Sequence, residues 1–226
     1  NEACLRNLKK KMPDSIQDEK INATVKQLKA QRDEYLEEIK KRNVFSKTSN
    51  QIKQAKQRIL DFEITKNDFS LVEPGLRRMF RQGKKYYNAC LQDPSTENLH
   101  NLRKRVKYLW YQLLLLKPVF PKMIKASYKN FEIISELIGD HRDFQEFIAY
   151  FEKNDYLGFD EKIVNEIYRI VNESNIKRLE KAMMLGAKLF YEKPSDFTRR
   201  IEVYWEVENT DFPELLHQKS DEDPFY

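Results

Sequence analysis

The chain has 226 residues, of which 34% are charged and only five are glycine, a composition that favours long helices over turn-rich sheets and suffices for one sizeable core or two small helical units. No apolar run nears the roughly 20 residues that cross a bilayer, and no basic-then-apolar leader opens the sequence, so no membrane is expected among its partners. The formal charge of +5 conceals an asymmetry: residues 206–226 hold seven acids against Lys219 alone, while residues 76–110 hold nine Arg and Lys against Asp93 and Glu97, a concentrated positive field that steers anions.

Cys4 and Cys90 allow at most one disulfide, which points to a reducing cytoplasm, and neither has a His or second Cys at metal or redox spacing. Apolar periodicity predicts an all-α chain with helices near 20–43, 48–62, 72–91, 96–116, 121–138, 140–153, 160–172 and 174–191, and a short one over 195–205. Pro13, Pro74, Pro94, Pro118, Pro121 and Pro194 fall between these segments or in their first turns, where a missing N–H costs least.

In the first helix Arg32 shares the arc of Val25, Leu28, Tyr35, Leu36 and Ile39, and is read as a snorkelling or paired structural residue. Over 72–91 the apolar arc is Leu76, Met79, Phe80, Gly83, Tyr86 and Tyr87, with Gly83 permitting close helix contact. Arg77, Arg81, Lys84 and Asn88 form a stripe on another side.

Ser95 offers an N-cap to the next helix. There, at about 100° per residue, His100, Arg103, Lys104 and Lys107 stand at i, i+3, i+4 and i+7, while Leu99, Leu102, Val106, Leu109, Trp110 and Leu113 share another arc. Arg forks match paired phosphate oxygens, Lys adds a mobile point charge, and a protonated His donates from both ring nitrogens. A single basic face is ordinarily just solvated. Two in succession, joined only by Leu91–Ser95, make antiparallel neighbours whose stripes are expected to face one common groove. Arg105 lies about 140° around the helix from His100 and is expected to matter less.

The following helix adds Lys125 and Lys129, although Glu132 and Glu136 continue that stripe and a ladder of surface ion pairs outweighs ligand contact there. Asp140, His141 and Asp143 make a weak metal site, with no second His and no carboxylate cluster in register. Asp143 is read instead as an ion-pair partner for a groove Arg or Lys. The acidic stretch 206–226, which also holds Phe212, Leu215, Leu216 and Phe225, reads as a solubilising extension or as a segment that docks on the groove or on another copy.

Three stretches in order, Gly75-Leu-Arg-Arg-Met-Phe-Arg-Gln-Gly-Lys-Lys, Leu99-His-Asn-Leu-Arg-Lys-Arg-Val-Lys-Tyr-Leu-Trp and Leu137-Ile-Gly-Asp-His-Arg-Asp-Phe, resemble the CHAD family, the conserved histidine α-helical domain. A later stretch from Leu185 to Ile201 is similar to that family's C-terminal end, and the resemblance is best over 72–205. It implies a helical bundle of two pseudo-symmetric halves around a basic groove that binds inorganic polyphosphate, with His100, Arg103 and Lys107 on the family's His/Arg/Lys positions. Many members carry Arg where this chain has Trp110. No helix before Leu28 supplies a second such motif, so the first half is expected to be incomplete at its N-terminus. The expected division is 1–70 for the remainder of that half, 71–205 for the half bearing the motif, and 206–226 for the tail.

The function expected from residues and resemblance together is polyphosphate binding without catalysis and without a cofactor. Its residues would be Arg77, Arg81, Lys84, His100, Arg103, Lys104 and Lys107, with Lys125 and Lys129 behind them, in a cytoplasmic protein associated with polyphosphate granules. The rivals are a nucleic-acid or other polyanion-binding helical module and a metal-dependent phosphate-anhydride hydrolase. The absence of zinc spacing, of an Arg/Gly tract and of a helix-turn-helix pattern argues against nucleic acid. Glu206-Val-Glu208 opens like the Glu-x-Glu-x-Lys signature of triphosphate tunnel enzymes, but position 210 is Thr. Self-association is left open.

Overall fold

The computed structural model describes residues 4, 5, 8, 10–12, 19–63 and 68–210. Among them are seven α-helices and no strand: α1 (Glu19–Lys41), α2 (Val44–Leu60), α3 (Glu73–Gln92), α4 (Thr96–Leu115), α5 (Pro121–Lys153), α6 (Glu161–Leu189) and α7 (Pro194–Asn209). The chain is an all-α helical bundle protein. Its helix starts follow local chemistry. Pro74 sits in the first turn of α3, and Pro121 and Pro194 open α5 and α7. Ser95 accepts from the Asn98 N–H at 3.4 Å ahead of α4, and Asp160 accepts from the Ile163 N–H at 2.9 Å ahead of α6.

Two pairs of expected helices prove to be single ones, since 121–138 and 140–153 join as α5, and 160–172 and 174–191 join as α6. At the first expected break Gly139 continues the helix, and its bare Cα is covered by the Arg103 side chain. At the second, Ser174 and Asn175 are buried inside α6, where packing outweighs their preference for helix ends. The Ser174 hydroxyl accepts from Lys11 Nζ at 2.8 Å. α7 runs on to Asn209, so the start of the acidic stretch is helical. Pro13 and residues 211–226 lie outside the described residues.

The chain clusters into two compact units that do not follow the expected order: residues 1–65 group with 143–176, and residues 66–142 with 177–226. Segments 143–153 of α5 and 161–176 of α6 therefore belong with the N-terminal helices instead of with the motif-bearing half. The reason is apolar: Phe144, Phe147, Phe151, Ile163, Ile167 and Ile170 bury with Leu5, Leu8, Ile21 and Leu28. In that unit α2 buries no residue, and Tyr35, Leu36 and Ile39 of α1 are exposed. Arg32 is paired with Asp33 at 2.8 Å, in keeping with a structural role.

In the other unit, Leu76, Phe80, Leu102, Leu109, Phe131 and Phe190 are among the core residues. Phe190 packs on Phe80, Tyr87 and Phe131 with ring centroids 5.4, 5.6 and 5.7 Å apart. This cluster closes over Gly83, whose Cβ would stand 2.9 Å from the Phe190 ring and 3.4 Å from Leu109 Cδ1. Gly83 thus sets how closely α3 approaches α4, as its place on the apolar arc predicts. Because Phe190 is held on three sides, Gly83→Ala is expected to destabilise the protein by about 1–2 kcal/mol despite the better helix propensity of Ala, measured by urea unfolding.

Candidate functional site

The buried arc of α4, namely Leu99, Leu102, Val106, Leu109 and Leu113, turns His100, Arg103, Lys104 and Lys107 to the opposite side. His100 and Lys104 are exposed, and Arg103 and Lys107 are half-buried. Arg103 is the anchored member. Its Nε donates to the Ser135 carbonyl of α5 at 3.0 Å, and its guanidinium lies against Gly139, 3.1 Å from where a Cβ would stand. That contact fixes the fork while the terminal amino groups have no acceptor among the described residues. Lys107 Nζ sits 5.8 Å from the Tyr111 ring. None of these four cations forms an ion pair among the described residues.

The stripe on α3 does not join them. Lys84 donates to the Tyr191 and Glu192 carbonyls, at 3.1 and 2.9 Å, where the chain leaves α6. Arg77 pairs with Glu73 at 2.5 Å, and the same carboxylate oxygen accepts from Thr198 of α7 at 3.2 Å. Arg81, exposed, shares that side of α3. The α3 stripe therefore turns toward α7 and the α6–α7 connection, whereas Arg103 turns toward α5. The contacts of the two stripes thus lead to different elements, and none among the described residues joins them across the expected common groove. What α3 and α4 bring together is an open cavity of about 530 Å³ whose cations are Arg78 and Arg105. Sequence reasoning missed Arg78 and set Arg105 aside. The signal was present as Arg78 and Gln82 at i, i+4, and as Arg105, Tyr108 and Gln112 at i, i+3, i+7, but tyrosines and glutamines at helical spacing pass for packing residues.

On α5, Lys129 hydrogen-bonds Glu132 at 2.5 Å, which holds its ammonium pKa above the usual value. Lys129 is thus the surface ion pair that the acids beside it imply. Lys125 is exposed. The ion pair expected of Asp143 is made by Asp140 instead, to Arg178 of α6 at 3.5 Å. Burial, and secondarily the Arg178 charge, push the neighbouring His141 imidazole below its ordinary pKa. Among the described residues no three His, Cys, Asp or Glu side chains are grouped as metal ligands.

Residues 2–150, more than half of the chain, match the CHAD domain. The chain belongs to the CHAD family. The match includes the helices ahead of residue 71 and both anchored elements of the Arg103 contact, α4 and the Ser135–Gly139 turn of α5, while the stretch from Leu185 to Ile201 lies beyond it. No curated protein and no solved structure matches this CHAD chain significantly.

The lowered pKa of His141 makes a stability prediction whose sign is fixed. The unfolded chain takes up this proton at higher pH than the folded one, so folding stability is fully present above about pH 6.5 and is lost as pH falls toward the folded value. The urea midpoint is expected to drop between about pH 7.5 and about pH 5.5, and less so in His141→Gln.

Proposed function

We propose that this CHAD protein binds inorganic polyphosphate along the outer face of α4 and does not turn it over. The observation that carries the reading is the grouping of His100, Arg103, Lys104 and Lys107 on one side of α4, with the Arg103 fork held by Ser135 and no ion pair to any of the four among the described residues. Like charges at i, i+3 and i+4 repel, and a surface selected for stability alone would place acids among them. A polyphosphate chain consists of acceptors only and meets a face of donors only. Arg103 contributes a fork already oriented by Ser135, and the lysines contribute charges that follow an irregular chain.

Within this reading Lys84, Arg77 and Lys129 serve structure first, because the Lys84 ammonium donates to two carbonyls and the charges of Arg77 and Lys129 are matched by carboxylates, whereas Arg103 meets a neutral carbonyl through Nε alone. Arg81 and Lys125, both exposed, extend the positive field without belonging to the α4 face. The reading extends to a reducing cytoplasm, with Cys4 and Cys90 not joined in a disulfide, and to residence at polyphosphate granules, where the ligand lies.

Titration with polyphosphate, followed by calorimetry, tests the reading. Arg103→Ala and Lys107→Ala are each expected to weaken binding by roughly 1.5–3 kcal/mol, while Arg105→Ala leaves it within a factor of about two. Affinity should fall steeply with salt, and DNA or RNA of equal charge should displace the ligand poorly. Equal losses at all three positions, or phosphate release in the presence of a divalent metal, would overturn the proposal. Gly139→Ala supplies a separate check: its Cβ would displace the Arg103 fork, so affinity is expected to fall several-fold, while the loss of the Ser135 hydrogen bond, about 1 kcal/mol, is offset by helix propensity and the urea midpoint stays nearly constant.

A further inference from the structure

The cavity between α3 and α4 has a chemistry that the α4 stripe lacks. Its walls carry two cations, Arg78 and Arg105, but also the rings of Tyr108 and Tyr111, the carboxamides of Gln82 and Gln112, and the apolar Met79 and Leu115. The Arg105 guanidinium is placed between two rings, 6.0 Å from the centroids of both Tyr86 and Tyr108. Among the described residues its buried Nε has no acceptor, and the buried Gln82 Oε1 and Gln112 Oε1 have no donor. Three orphaned polar atoms therefore belong to side chains of one cavity wall, and buried polar groups without partners are uncommon enough to need a reason.

A bare polyanion does not supply that reason. It offers acceptors to the two arginines, but it has no donor for a carboxamide oxygen and gains nothing from phenol rings or from a leucine that is 81% exposed. A carboxamide carries a donor and an acceptor side by side, and it pairs best with a planar group that carries the complementary pair, as the edge of a nucleobase does. Tyr108 and Tyr111, 41% and 46% exposed and one turn apart on α4, offer ring faces on which such a planar group stacks. Arg78, exposed at the rim, and Arg105 are placed for an attached phosphate. About 530 Å³ lies within the range of small-ligand pockets, large enough for one base, one sugar and a short phosphate chain.

The geometry points to a nucleoside-phosphate site between α3 and α4, distinct from the polyphosphate face that it adjoins at Tyr111 and inferred without the polyphosphate reading. The test is calorimetric titration of the full chain with ATP at physiological salt, beside tripolyphosphate, which carries the same phosphates without the base. ATP is expected to bind with a stoichiometry of one, and equimolar tripolyphosphate not to displace it. Tyr108→Ala, at an exposed position that the fold tolerates, and Gln112→Ala are each expected to weaken ATP at least about ten-fold and to leave polyphosphate binding unchanged, with thermal unfolding confirming that both variants are folded. Lys104→Ala should do the opposite. The inference is overturned if wild-type protein does not bind ATP, if tripolyphosphate displaces it at equal concentration, if Tyr108→Ala leaves the ATP affinity unchanged, or if a short RNA occupies the site with several nucleotides per protein. Failure of the polyphosphate reading would show elsewhere, as unchanged polyphosphate binding in Arg103→Ala.

Discussion

The closure of Phe190 over Gly83 governs the rest of the motif-bearing unit. Once that small residue is buried against the aromatic cluster and against Leu109, the rotation of α3 about its axis is settled, and a period of 3.6 residues distributes every other side chain. Arg77, Arg81 and Lys84 are carried toward α7 and the end of α6. Arg78 and Gln82 are carried toward α4. The buried leucines of α4 act in the same way, sending Arg103 to α5 and Arg105 to α3. The functional faces are thus consequences of core packing: none of these cations chooses its direction by its own chemistry.

This explains what could be read in the sequence and what could not. The all-α class, the helix starts at Pro121 and Pro194, the Ser95 cap, the apolar arcs of α3 and α4 and the close contact at Gly83 all depend on local pattern, and all appear in the structure. The His100–Lys107 stripe was legible for the same reason. The meeting of the two stripes was not, because periodicity fixes angles within a helix but not the angle at which one helix faces another. Gly139 was misread as a break, since nothing local indicates that a side chain 36 residues earlier covers it. The grouping of 143–176 with the N-terminal helices is likewise a long-range apolar fact, carried by Phe144, Phe147 and Phe151, which look from sequence like any other core positions.

Different ligand chemistries can share one helix when its faces are chemically unlike. On α4 the face bearing His100 and Lys104 is charged and open, and the face bearing Tyr108 and Gln112 is aromatic and amidic. Tyr111 stands where the two adjoin. It lines the cavity, stacks on Trp110 at 4.9 Å and receives Lys107 over its ring. Trp110, at the position where the family resemblance leads one to expect a cation, thus contributes a flat support for Tyr111 in place of charge.

Charge is placed differently along the different helices. Cations favour the C-terminal turn, where they complement the helix dipole, and α1, α2, α5 and α6 follow that rule with Lys40 and Lys41, Arg58, Lys153 and Lys188. Like α7, α3 and α4 have no basic residue in the last turn, although they carry five and four Arg or Lys. Their cations lie earlier, from Arg77 to Lys85 and from His100 to Lys107, where the dipole gives no help and neighbours of like charge repel at i, i+3 and i+4. Glu97 in the first turn of α4 relieves only part of this. Helix stability does not account for such an arrangement, and neither does solubility, which cations at the C-terminal end would serve equally well. The polyanion proposed for the exposed face would account for it, because it would replace the missing acids and turn the repulsion among His100, Arg103, Lys104 and Lys107 into a shared attraction.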